Sequence, residues 1–139
     1  WASDSLDYRG KYHTVNRASI NPRPGKPVPI WFGGSAPVLL RRCARLGDGW
    51  MPVMGANEAA RNAITLLRSE RAKAGLAWDT FGIQAQAQYA GGTPERWKNH
   101  HDRWQELGAT HLAIATHSAG PTNVDGHLQR IREYLAAIR

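Results

Sequence analysis

Cysteine is almost absent from this sequence. Cys43 is the only one in 139 residues. That excludes an internal disulfide framework and makes a reducing cytoplasm the simpler expectation. Long apolar runs are absent as well. None approaches the roughly 18 residues of a membrane-spanning helix, and no secretory signal pattern is seen, so no membrane partner is expected. Acidic residues are few, 11 against 18 Lys and Arg, for a formal net charge of +7. Such a surface attracts anions. The sequence nevertheless has no block of five or more like charges, no zinc-finger spacing, no aromatic RNA-binding signature and no helix-turn-helix. Its basic residues are spread over Arg41, Arg42 and Arg45, then Arg61, Arg68, Arg71 and Lys73, then Arg130, Arg132 and Arg139. The expectation is a solvated basic helical shell, with nucleic acid the least favoured partner. His100 and His101 are adjacent rather than i, i+4, so they lack the spacing of a zinc pair and are expected at the surface, with no metal. A starting methionine is missing too. Trp1 comes first, as expected of a reading frame that continues upstream or of a lost initiator.

What is present is a globular composition, 42% hydrophobic and 21% charged, enough for one domain with a core. The first 29 residues differ from the rest. Asp7 to His13 places aromatic arms around Gly10 and predicts a hairpin. Asn21 to Pro29 holds four prolines in nine residues, which predicts an extended loop because proline fixes φ and removes a donor. From residue 30 to 139 the pattern becomes strand–helix, four times. Ile30-Trp31-Phe32 is a short apolar run ending at Gly33-Gly34, and a helix follows from about Ala36 to Leu46 with Gly47 as its stop. Gly49 to Met54 is a second apolar run. Asn57 caps a helix to about Ala74. Phe81 to Tyr89 alternates strictly, and Thr93 with Pro94 opens a helix to about Leu107. His111 to Thr116 is the fourth strand, and Val124 to Ile138 the last helix.

Repeated βα units with short loops imply parallel strands. Two architectures fit: an open doubly wound sheet, or half of an eight-fold α/β barrel. A doubly wound strand is covered on both faces and is apolar throughout. Here one face of the third strand is Gln84, Gln86 and Gln88, costly to bury without partners. The fourth strand would turn His111, Ala113, Ala115 and His117 inward, small in the middle and polar at the mouth. These features favour the half-barrel, although an edge strand of an open sheet also tolerates glutamine. A complete barrel needs about 250 residues, more than this chain has.

Pro29-Ile30-Trp31-Phe32-Gly33-Gly34-Ser35, followed by Arg41-Arg42-Cys43-Ala44-Arg45-Leu46-Gly47-Asp48-Gly49-Trp50-Met51-Pro52, resembles the bacterial-luciferase-like monooxygenase superfamily, particularly its deazaflavin-dependent branch. Tyr8-X-Gly-X-Tyr, the proline-rich run, Ala90 to Glu95 and Leu107-Gly108-Ala109 extend the resemblance over nearly the whole chain. The resemblance implies a (βα)8 barrel of which this is the C-terminal half, preceded by the extended Pro-rich segment. It implies an FMN- or F420-dependent oxidoreductase, monooxygenase-like, with residues often assigned to proton transfer lying in the other half. The alternative is a non-catalytic, oligomeric anion- or ligand-binding remnant of that fold. Four strands leave two open edges and one bare face. The chain is therefore expected to self-associate as a homo-oligomer, or to pair with a chain supplying the N-terminal half.

The candidate site residues follow. Gly33, Gly34 and Ser35 let backbone N–H groups approach a phosphate at a helix N-terminus. The alternative is a tight turn needing φ > 0. Trp31, Trp50, Gln86 and Gln88 would line the cofactor pocket. For Asp48-Gly49-Trp50 the alternative is a turn plus a core tryptophan. His117, an imidazole, is the candidate acid or base at the rim. The alternative there is an exposed rim without chemistry. Arg41, Arg42 and Arg45 either reach a phosphate tail or are solvated.

Overall fold

The computed structural model describes residues 3–120 and 123–139; Trp1 lies outside them. Strands β1 (Leu6–Arg9) and β2 (Thr14–Ala18) form an antiparallel hairpin apart from the main sheet. The Gly10 N–H donates to the His13 carbonyl across its turn. An extended stretch leads to β3 (Trp31–Gly33), α1 (Pro37–Leu46), β4 (Gly49–Met51), α2 (Glu58–Lys73), β5 (Gly82–Gln88), α3 (Pro94–Glu106), β6 (His111–Ala115) and α4 (Val124–Ile138).

The helix starts follow local chemistry. The side-chain oxygens of Asn57, Thr93 and Asn123 accept from the N–H groups of Ala60, Arg96 and Gly126 at 3.2, 3.3 and 3.0 Å. Each satisfies a donor that the first helical turn leaves open. The start of α1 has no such cap; Pro37 occupies its first position.

The four-stranded sheet has order β3-β4-β5-β6, all parallel. Each strand pairs with its sequence neighbour and the order never reverses. A doubly wound sheet has a reversal and helices on both sides. Here the core lies between a single face of the sheet and the helices. Leu40, Cys43 and Ala44 of α1 pack with Ile64 and Leu67 of α2, under Trp50, Ile83 and Ala85. Tyr134 of α4 and Trp97 of α3 pack against Ala87, with Ile114 at their edge. The opposite face carries Gln86, Gln88 and His111, all exposed. Sequential parallel strands curved around an uncovered face are the half-barrel arrangement.

On that uncovered face, Trp31 lies flat over two glycines. A Cβ on Gly49 would come within 2.4 Å of its ring, and one on Gly82 within 2.1 Å. The ring edge then meets His111, 5.3 Å between centroids. Register places Trp31 beside Gly49, and Gly49 beside Gly82, so one indole spans three strands. Gly82→Ala is therefore expected to lift Trp31 off the sheet and cost about 1–3 kcal/mol, read by urea unfolding. Adding Trp31→Ala should recover part of that loss; full additivity of the two changes would contradict the packing.

Two arginines depart from the solvated shell expected from sequence. Arg71 is 5% exposed and Arg130 6%. The Arg71 guanidinium donates to the carbonyls of Ala44, Gly47 and Ala77 at 2.9–3.2 Å and lies over the Phe81 ring. It thus ties the end of α1 to the α2–β5 loop, serving carbonyls that a helix end leaves open. Arg130 donates to the Thr116 carbonyl at 3.3 Å. Arg71 stands in helical register with Ala60, Ile64 and Leu67, the buried face of α2.

Cys43 is fully buried, with its thiol donating to the Gly49 carbonyl at 3.4 Å. Burial raises its pKa to about 11, against smaller lowering by Arg71. The native thiol therefore stays protonated at pH 8 and should react with a disulfide reagent only on unfolding. Because the folded pKa lies above the unfolded value, this group's contribution to stability is complete below about pH 9 and is lost as pH rises toward 11. A pH series of urea midpoints on wild type and Cys43→Ala checks the sign.

Candidate active site

The C-terminal ends of the four parallel strands meet at one edge of the sheet, where α/β barrels carry their sites. Gly33-Gly34-Ser35 ends β3. Gly34 has φ +100°, a conformation that glycine adopts freely and other residues do not. Gly33 and Ser35 are exposed. The Gly34 carbonyl accepts from the Trp50 indole N–H at 2.7 Å. That bond fixes the turn to β4.

Gln84, Gln86 and Gln88 share one face of β5, with Gln86 opposite Ala113 and Gln88 opposite Ala115 of β6. Among the described residues, none of these three side-chain amides has a hydrogen-bond partner. Small alanines beside unpaired amides leave a flat, polar floor. His117 follows β6. It is exposed and shares a hydrogen bond with the Ser118 hydroxyl at 3.1 Å. Ser118 itself has φ +59°, a backbone state that costs a non-glycine residue about 1–3 kcal/mol and clusters at functional turns.

The structure thus brings Gly33, Gly34, Ser35, Gln86, Gln88 and His117 to the same end of the sheet. Two other sequence candidates are placed elsewhere. Trp50 is fully buried on the helix-covered face. It holds the Gly34 turn from behind and does not line the open face. Trp31 is on the open face but at the N-terminal ends of the strands, over Gly49 and Gly82. Period two explains both: Trp31 and Gly33 point inward while Phe32 points to the helices. A cleft of about 530 Å³ lies at that lower end, lined by Trp31, Asp48, Gly82 and His111 with the proline-rich run. Asp48 is engaged there structurally. Its carboxylate accepts from the Ile30 N–H at 2.8 Å. Arg41, Arg42 and Arg45 of α1 are exposed on the helical side.

Sequence reasoning missed one part of the mouth. His100 is half-buried, not merely a surface residue, and its Nε2–H donates to the Gln86 carbonyl at 3.0 Å. The signal was available. Arg96, Asn99, His100 and Arg103 stand at i, i+3, i+4 and i+7, one stripe of α3. Beside them, Tyr89 stacks on Trp97 and Trp97 on Tyr134. The Tyr89 hydroxyl donates to Glu133. That bond raises the Tyr89 pKa and lowers that of Glu133. This stack anchors the Ala90-Gly91-Gly92 turn.

Taken together, the fold is that of part of an α/β barrel, with an open polar edge at the C-terminal ends of its parallel strands. The chain belongs to the luciferase-like monooxygenase family, whose model matches residues 1–139. It is 34% identical over 55 residues to the F420-dependent glucose-6-phosphate dehydrogenase of Nakamurella multipartita, a match covering 40% of this chain and 16% of that enzyme. An uncharacterised protein of Mycobacterium tuberculosis is 33% identical over 72 residues, 52% of this chain and 25% of the other. Among solved structures, an F420-dependent secondary alcohol dehydrogenase in complex with an F420-acetone adduct superposes with TM-score 0.77 at 15% identity. The F420-dependent tetrahydromethanopterin reductase of Methanopyrus kandleri does so with TM-score 0.69 at 12% identity. These matches cover 100% and 96% of this chain but 58% of each neighbour, so the fold here is part of the larger barrel. No described helix is long and apolar enough to cross a membrane.

Proposed function

We infer that this chain forms the cofactor-holding βα units of an F420-dependent oxidoreductase. The observation that carries this reading is the pairing of the exposed Gly33-Gly34-Ser35 turn with the unpaired Gln86 and Gln88 amides, all at the C-terminal edge. The named relatives favour F420 over FMN. The residues suit such a group. The open turn offers backbone N–H groups and the Ser35 hydroxyl to a phosphate, next to the uncapped start of α1. The small-residue floor of Ala113 and Ala115 admits a planar ring, whose polar edge the glutamine amides can meet. When bound, the deazaflavin supplies hydride chemistry, and the protein's part is orientation and exclusion of water. His117 stands at the rim, where it can hold or deliver a proton to a substrate bound over the ring.

The bare inner face and the free edges of β3 and β6 need a cover. In this reading they are closed by further βα units, from a second copy or from a chain carrying the N-terminal half. Static light scattering tests this; a stable monomer of this chain would contradict it. A second reading, ligand binding without turnover, is favoured by the exposure of His117, which is backed by no carboxylate among the described residues. Titration with F420, then FMN, followed by absorbance, separates the cases. A saturable shift with F420 supports the first reading, and binding without hydride transfer to any alcohol or sugar phosphate supports the second. No saturable shift with either cofactor removes both.

A further inference from the structure

Two clefts adjoin at the outer side of the mouth. One, about 410 Å³, is lined by Gly55, Ala56 and Asn57 of the β4–α2 loop and by Arg96, Asn99, His100 and Arg103 of α3. The other, about 290 Å³, runs from Gln86 and Gln88 past the Gly91-Gly92 turn to the same Arg96 and His100. The shared residues make them one groove leading from the open face of β5 to the stripe of α3. No Asp or Glu is among the described residues that line it.

The arginines in this groove differ from their neighbours. The other exposed Lys and Arg side chains on these helices have a partner: Arg61 with Glu58, Lys73 with Glu70, Lys98 with Asp102, and Arg68 over the Trp78 ring. Arg96 and Arg103 have no ion pair and no side-chain hydrogen bond among the described residues. Two unpaired guanidiniums facing one cleft repel each other, and an anion between them reverses the sign of that interaction. Asn99 adds an amide. His100 is held by its Nε2–H on the Gln86 carbonyl, which leaves Nδ1 as its second polar atom. One carboxylate is matched by one arginine; two arginines match a dianion with three terminal oxygens.

We propose that this groove binds the phosphate group of a phosphorylated small molecule, with Arg96 and Arg103 as its two cationic ligands and Asn99 as a neutral donor. The site lies outside the Gly33-Gly34-Ser35 turn and does not rest on the deazaflavin reading. Its position beside Gln86 and Gln88 suits it as a subsite for a substrate reaching the open face; that role rests on the proposed function, whereas the phosphate binding does not.

The test uses the full chain without cofactor and inorganic phosphate as the probe. Arginine Nε–H resonances are followed during titration at constant ionic strength, with acetate as the monoanion control. Arg96 and Arg103 signals are expected to shift saturably with phosphate. Arg96→Gln and Arg103→Gln should each weaken the phosphate affinity by about tenfold, the scale of losing one charged hydrogen-bond partner. Arg132→Gln on the exposed side of α4 should leave it unchanged. Unchanged circular dichroism keeps these surface variants interpretable. The proposal fails if phosphate gives no saturable shift at these two arginines, if acetate binds equally well, or if the double variant retains wild-type affinity. F420 absorbance is silent in this experiment, so its outcome is separate from that of the cofactor titration.

Discussion

Replacing Arg71 with leucine is expected to destabilise the fold by about 3 kcal/mol, the sum of a few unsatisfied carbonyls at about 1 kcal/mol or more each. Leucine fills much of the volume but donates nothing. The carbonyls of Ala44, Gly47 and Ala77 would be left without the donor they now have. Two of them belong to the end of α1 and one to the loop that enters β5, so the loss is shared between elements distant in sequence. Arg71→Lys keeps the charge but has a single nitrogen where the guanidinium uses three. It should recover only part of the loss. Urea unfolding of the three proteins measures the order wild type, lysine, leucine. A leucine variant as stable as wild type would show that these bonds add nothing beyond what water supplies.

The second large effect is functional. Gly34→Val is expected to weaken F420 binding by about 100-fold, or roughly 2.7 kcal/mol. At φ +100° a β-branched residue is badly strained, and its Cβ would meet a Leu39 methyl at 3.3 Å. In the proposed cofactor site, relief of that strain would turn the peptide and redirect the N–H groups that are to meet the phosphate. Gly34→Ala should fall between the two. Trp50→Phe provides the complementary test. It leaves the turn's own residues intact but removes the 2.7 Å bond from the indole to the Gly34 carbonyl. A smaller loss of affinity with a retained fold is the expected result, read by F420 fluorescence titration beside thermal unfolding. Wild-type affinity in Gly34→Val would remove the turn from the cofactor site.

Much of the fold was legible because its signals are local. Asn57 and Thr93 cap helices through bonds to residues three positions on, and Pro94 sits where a helix lacks a partner for its N–H. The glutamine alternation of β5 needed only the period of a strand. It separated the covered face from the bare one and so pointed to the half-barrel. Parts of the candidate site were legible for the same reason: two glycines at a strand end, and amides on the inward face. Trp31 and Trp50 were harder. Both are aromatic residues in strands flanked by glycine, and composition cannot tell an indole over a sheet from one under it. Only the register between strands shows that Gly49 and Gly82 make room for Trp31, and that Trp50 reaches Gly34 from the core.

The sequence by itself determined the βα order, the helix starts, the polarity of the inner face and the family resemblance. These depend on spacing within about ten residues or on motifs read in order. The tertiary structure alone decided which charges are structural and which are available. Arg71 and Arg96 are the same residue type on consecutive helices, each with other charged residues close by in the sequence. Arg71 is buried because the ends of α1 and of the α2–β5 loop converge on it. Arg96 is left unpaired because α3 turns its polar stripe toward a loop that carries no acid. The energy of a guanidinium is set by what lies within a few ångströms in space, and chain order does not contain that distance.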